Sequence, residues 1–188
     1  YGYKGADRDA RLLERARQEG SVTVYTSLAP TEAAPLVEAF EKKTGVKVNM
    51  WRALSAAVVQ RALSEARGKR HAMDVVETNG PEVESLAREQ VLAPFHSPHL
   101  ADLPAGSVPK LGLGAADRLN FFVVAYNTNK VKATDLPKTY EGFLDPKWKG
   151  RITLEATDSE WMAGVVKTWG EARGMEFMRK LGEMKPDM

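Results

Sequence analysis

The stretch Arg118-Leu119-Asn120-Phe121-Phe122-Val123-Val124-Ala125-Tyr126-Asn127 decides how the rest of the chain is read. Its middle, Phe121 to Ala125, is an unbroken apolar run, short for a helix and rich in aromatic and β-branched residues. The turn-forming Asn127-Thr128-Asn129 follows it. That combination predicts a strand buried on both faces. We expect it to mark the crossing between two lobes, with its polar end, Tyr126 and Asn127, emerging where a ligand could sit. The alternative is an ordinary central strand.

Upstream, the pattern repeats three times. Arg8 to Glu19 has the apolar spacing of an amphipathic helix, with Gly20 as its stop, and Ser21 to Thr26 reads as a strand. Pro35 is tolerable only in a first turn, so the next helix is expected to begin between Thr31 and Ala34 and to stop at Gly45. Val46 to Trp51 alternates as a second strand. Ser55 then offers an N-cap for a helix burying Val58, Val59, Ala62, Leu63 and Ala66 and ending at Gly68. Met73 to Glu77 is a third strand, and Asn79 is the expected cap of a helix burying Val83, Leu86 and Ala87.

Strands alternating with helices through short loops define a parallel sheet covered by helices. In such sheets ligands sit off the carboxyl ends of the strands, where helix N-termini also point. Three loops qualify: Ser27 to Thr31, Trp51 to Ser55 and Glu77 to Pro81.

Downstream, Leu92 to Gly114 is loop-like, with four prolines. His96 and His99 suggest a metal pair, but Pro98 spoils helical spacing and no third ligand is visible; His71 reads as a surface or packing residue. After the apolar stretch come a helical turn over Lys138 to Leu144, the segment DPKWKGRI from Asp145, and a strand over Arg151 to Glu155. Two helices follow, one from Ser159 to Gly170 with Asp158 as its N-cap, the other from Glu171 to Met184 with Phe177, Met178 and Leu181 inward. Trp148 is assigned to structure.

The totals exclude several functions. With 27 basic and 25 acidic residues mixed along 188, net charge +2, the chain has no field of the kind that marks a nucleic-acid binder. Zero cysteines rules out disulfides, thiolate metal sites and cysteine nucleophiles, and fits an oxidising compartment. No apolar run approaches the ~20 residues of a membrane span, so direct membrane insertion is not expected. Catalysis finds no motif: there is no Gly-x-Ser-x-Gly, no phosphate loop and no histidine paired with a nucleophile.

Three stretches taken together, EGSVTVYTSLAPTEAAPLVEAFEKKTGVKV from Glu19, FFVVAYNTNKV from Phe121 and FLDPKWKGRI from Phe143, resemble the periplasmic solute-binding proteins of ABC importers, nearest the ferric-ion-binding group. The resemblance covers essentially the whole chain. It implies an α/β, two-lobed type II periplasmic binding protein: a parallel-sheet first lobe over residues 1–124, then the end of the crossing strand and an incomplete second lobe over 125–188. It also implies export to the periplasm by a signal peptide that is removed, hinge closure around a solute, and delivery to ABC permease subunits. The chain's return crossing is expected beyond Met188. No cofactor is implied; the cargo would be a ferric ion with its anion, or a small organic anion. The ferric pattern is poorly met, because the family's histidine and glutamate ligand positions fall on Ala29 and Asn79, and its tyrosine pair would lie beyond Met188. The family's anion loop aligns with Asp158-Ser159-Glu160.

The resulting candidate ligand residues are Ser27, Leu28 and Thr31 from the first loop, Trp51, Arg52 and Ser55 from the second, Thr78 and Asn79 from the third, Tyr126 and Asn127 at the crossing, and Asp158, Ser159, Glu160 and Trp161 downstream. Arg52 is the one clear cation expected at a strand's carboxyl end, suited to two-point pairing with a carboxylate or phosphonate. Each has a plainer alternative: Ser27, Ser55 and Asn79 as caps, Trp51 as packing, Arg52 as a solvated charge. A ligand-sensing domain of the same fold, signalling rather than transporting, is the other functional reading.

Overall fold

A computed structural model describes residues 3–94, 96–155 and 159–188. Helix α1 spans Arg8–Glu19 and closes on Gly20, whose φ of 81° only glycine adopts cheaply. Strand β1 is Ser21–Thr26, α2 Pro30–Thr44, β2 Lys47–Arg52, α3 Ser55–Arg67, β3 Val75–Glu77 and α4 Gly80–Arg88. The sheet has the order β2-β1-β3 with both pairings parallel. Register pairs Tyr25 with Trp51 and with Val76, and Thr26 with Arg52 and with Glu77. The last residues of all three strands therefore lie side by side.

Three local expectations need correction. Pro35 lies inside α2 rather than in its first turn, because Pro30 already supplies the preset φ at the helix start; Pro35 then costs one hydrogen bond to Thr31. Ser55 is the first helical residue of α3, and Leu54 occupies the cap position in extended conformation. Strand β3 is shorter than expected. Asp74 still extends the pairing, its N–H donating to Thr23 O at 3.0 Å while its carboxylate accepts from Thr23 N at 2.8 Å.

On one face of the sheet, Tyr25 is 1% exposed and its hydroxyl donates to the Glu65 carboxylate of α3, 2.8 and 2.9 Å from its two oxygens. Arg61 closes the cluster, donating to Glu65 at 2.9 Å and lying 4.5 and 4.4 Å from the ring centres of Tyr25 and Trp51. The Arg61 guanidinium, and then the Tyr25 hydroxyl, hold the Glu65 carboxyl below the usual carboxylate range against the opposing effect of burial. Burial first, and Glu65 second, push the Tyr25 phenol up, so it stays protonated and able to donate. Leu86 of α4, fully buried, packs with Val59 and Ala62 of α3 to make the adjoining apolar core.

The stretch from Leu119 to Asn127 differs most from expectation. It pairs with no described strand, and Leu119, Phe121 and Val123 are 76, 80 and 78% exposed. Apolar β-branched sequence favours extended backbone, but a buried strand exists only where flanking strands take its N–H and C=O groups. Arg151 to Glu155 shows the same constraint: Thr153 bridges Asp187, and no longer strand forms among the described residues.

By its internal contacts the chain divides into two compact units, 1–119 and 120–188. In the second, α5 (Ser159–Trp169) and α6 (Glu171–Glu183) pack around Val165, Phe177 and Leu181, with Tyr140, Trp161 and Trp169 against them. Trp148 is buried against Phe143, their ring centres 5.5 Å apart. The helices approach closely at Gly174, where a Cβ would meet Val166 Cα at 2.5 Å.

Two predictions follow from this packing. Ala is favoured over Gly inside a helix by about 1 kcal/mol, yet at Gly174 the clash is with backbone and cannot relax cheaply. Gly174→Ala should therefore destabilise by about 1–2 kcal/mol, whereas Gly182→Ala on the same helix, with nothing within 4 Å of the new methyl, should stabilise; urea denaturation of both variants checks the opposite signs. Because the folded-state pKa of Glu65 is lowered, its contribution is complete above the unfolded carboxylate pKa and is lost as pH falls through the folded value. The stability gap between wild type and Glu65→Gln should shrink on acidification, measured as denaturation midpoints from neutral pH downward.

Candidate ligand-binding site

At the ends of β1 and β3 the pairing runs one step further, Ser27 N donating to Glu77 O at 3.1 Å, and the Glu77 side chain gathers the neighbouring donors. Oε2 of Glu77 accepts from the Thr26 hydroxyl at 2.5 Å, Ser27 N at 3.1 Å and Leu28 N at 3.2 Å. Its Oε1 lies 3.2 Å from Arg118 Nε, an ion pair whose angles fall outside those of a hydrogen bond. Arg118 Nη2 then donates to Ser27 Oγ and to Asn79 Oδ1, each at 3.0 Å. One guanidinium thus ties the loop after β1 to the loop after β3.

Arg52, at the end of β2, joins the same loop from the other side: its Nε donates to Leu28 O at 3.2 Å. Thr31 lies exposed in the first turn of α2. Asn79 holds the cap position of α4, but its side chain makes no cap hydrogen bond and serves Arg118 instead. Thr78 Oγ1 is buried and has no hydrogen-bond partner among the described residues. Ser27, Leu28, Arg52 and Asn79 are therefore brought into one connected cluster, flanked by Thr31 in the first turn of α2 and by Thr78 in the loop after β3.

Trp51 and Ser55 stand apart from it. Strand alternation sends Trp51 to the face opposite Arg52, where its ring lies 5.1 Å from that of Tyr25 and is covered by Arg61. Ser55 opens α3, half-buried.

The remaining candidates belong to the second unit. Asn127 Oδ1 accepts from Asn129 N at 2.9 Å, a turn-forming contact, and Tyr126 borders a cleft of about 840 Å³ whose lining includes Phe122, Tyr140 and Trp148 as well as Lys130, Arg151 and Asp187. Trp161 packs edge-on to Tyr140, ring centres 5.7 Å apart, in the unit's apolar cluster. Ser159 and Glu160 form the first turn of α5; Asp158, expected as its cap, lies outside the described residues.

Sequence reasoning missed Arg118 and Glu77 as site residues and named Arg52 as the one cation. The signal for Arg118 was its place at the head of the apolar stretch, where a lone cation precedes a run of hydrophobic residues. Glu77 carried a signal too, an acidic residue ending a β-branched strand. Among the described residues no group of three or more His, Cys, Asp or Glu side chains converges to hold a metal ion.

Over residues 73–185 the sequence matches the family described as bacterial extracellular solute-binding protein, and the chain belongs to that family, a class of solute-binding proteins and not of enzymes. It is 27% identical over 172 residues to the major ferric iron-binding protein of Neisseria meningitidis, covering 86% of this chain and 50% of that protein. To the iron uptake protein A1 of Synechocystis it is 28% identical over 178 residues, covering 92% and 48%. The chain spans about half the length of these curated relatives. Among solved structures, iron-bound HitA from Pseudomonas aeruginosa aligns with a TM-score of 0.70 at 23% identity, covering 87% of this chain and 54% of that one. The ferric binding protein from Campylobacter jejuni aligns at 0.65 and 19% identity, covering 85% and 52%. The fold is that of the type II periplasmic binding proteins, as expected.

Glu77→Ala would take the carboxylate from the Thr26 hydroxyl, leave the Ser27 and Leu28 amides only Glu77 O and Thr26 Oγ1, and remove the counter-charge of Arg118. A loss of about 3 kcal/mol is expected in chemical denaturation; a loss below about 1 kcal/mol would mean that water replaces the carboxylate at little cost.

Proposed function

We propose that this chain is the solute-capturing part of a periplasmic receptor that delivers its cargo to the permease of an ABC importer. The observation that carries the reading is the cluster of Ser27, Arg52, Glu77, Asn79 and Arg118 at the carboxyl edge of a parallel sheet, in a chain of the solute-binding family. The units 1–119 and 120–188 are the two lobes of such a receptor. Export to the periplasm follows from the same reading, and the family's description as extracellular supports it.

The cargo is a ferric iron complex or a small organic anion. The names of the relatives, a ferric iron-binding protein and an iron uptake protein, support iron. The first unit's own chemistry supports iron held as a complex rather than as a bare ion. Ala29 has no donor atom to offer a metal, and the Asn79 carbonyl oxygen is already engaged by Arg118. The complex's own oxyanion would then meet the guanidinium groups.

Native mass spectrometry of protein purified from the periplasm tests this. One low-mass solute or iron complex per chain is expected, and adding it back at a hundredfold excess over Kd should raise the melting temperature by roughly 5–10 °C. Protein that carries nothing, and whose melting is unmoved by ferric citrate and by organic anions, would remove the basis for a transport role.

A further inference from the structure

Many acceptors of the first unit's loop cluster are already engaged, although Glu77 Oε1 is buried with no hydrogen bond among the described residues. Glu77, the carboxylate at its centre, is saturated on Oε2 by Thr26, Ser27 and Leu28 and faces Arg118 with Oε1. Of the carboxylates in the first turns of α2 and α4, Glu32 and Glu82, the former accepts from Ala29 N at 3.1 Å. The acceptors Ser27 Oγ, Asn79 Oδ1 and Leu28 O are taken by guanidinium nitrogens. Glu77 has also consumed the two loop amides that could otherwise have cradled an anion.

Two guanidinium edges remain. Arg118 commits Nε and Nη2, and its Nη1 makes no hydrogen bond among the described residues, while its side chain is 26% exposed. Arg52 commits Nε, and its two terminal nitrogens make no hydrogen bond among the described residues. Both are aimed by bonds to consecutive residues of one loop, Ser27 and Leu28, so they are held with little rotamer freedom left to lose on binding. A fixed guanidinium with an open N–H edge pairs with an oxyanion, whereas a neutral sugar or a cation would leave its donors short of charge-assisted partners. The Thr78 hydroxyl, buried and without a partner among the described residues, can serve one further oxygen.

We propose that Arg118, with Arg52, is the anchor for the acidic head of the solute, and that the solute class is a small organic oxyanion, carboxylate or phosphonate, with or without a metal attached. This rests on the receptor reading and narrows it. A strut that merely joined two loops would need only the Nε and Nη2 edge; the exposed remainder of the side chain is what the proposal assigns to the ligand.

Isothermal titration of the full chain with citrate, succinate and methylphosphonate, and with glucose and spermidine as neutral and cationic controls, tests it. At least one oxyanion should bind, less tightly at high salt, with neither control binding. Arg118→Ala should weaken that binding tenfold or more, and Arg118→Lys, which keeps the charge but not the planar fork, should also weaken it. Circular dichroism melts run alongside; if Arg118→Ala does not fold, the lysine variant decides. Unchanged affinity in a folded Arg118 variant, binding of ferric ion with no oxyanion present, or silence of all three oxyanions at millimolar concentration would overturn the assignment. A neutral solute found bound to protein from the periplasm would overturn it too while leaving the receptor reading intact, whereas protein that carries no solute at all would remove both.

Discussion

The loop cluster of the first unit depends on one carboxylate. Parallel strands that end together present a row of N–H groups pointing past the sheet, and those groups must be satisfied or solvated. Glu77 is the last residue of β3, directly beside Thr26 in register, so a side chain of its length reaches the hydroxyl and amides of the neighbouring loop without leaving its own strand. Its negative charge in turn draws Arg118 in from a segment far along the chain, and Arg118 gathers Ser27 and Asn79. Remove that charge and four parts of the site lose their common reference point.

Strand alternation separates this polar edge from the packing beneath it. Tyr25 and Trp51 are neighbours in register, as are Thr26 and Arg52 one step further. Because successive side chains point to opposite faces, the aromatic pair goes to the α3 side and the polar pair to the site. The Tyr25–Glu65–Arg61 cluster therefore stiffens the strands from behind while taking no part in the loop cluster at their ends. A buried carboxylate is costly unless it is fully paired, and here a phenol and a guanidinium both serve it.

The second unit shows what a sheet requires. Its helices α5 and α6 pack tightly, to the point that Gly174 admits no side chain, because helices satisfy their own backbone and need only apolar partners. Its apolar extended segments have no such independence. Among the described residues, Phe121 to Ala125 carries strand composition but joins no ladder, and Arg151 to Glu155 pairs through a single bridge to Asp187. Composition selects the conformation of a strand; its partners decide whether it joins a sheet.

How much was legible varied with how local the cause was. The first helix and first strand, the alternation of three strands with three helices, the positions of Gly20, Gly45 and Gly68, and the buried faces of α3 and α4 were all determined by the sequence by itself, since periodicity and terminators act within a few residues. So were Ser27, Arg52 and Asn79 as residues at strand and helix ends. The tertiary structure alone decided that Asn79 answers to Arg118 rather than to its own helix, that Trp51 turns away from the loops, that Glu77 is the hub, and that the stretch at 119–127 lies exposed. Each of these depends on a residue brought close by the fold from tens of positions away, or on the absence of a described strand beside it, and no local pattern encodes either.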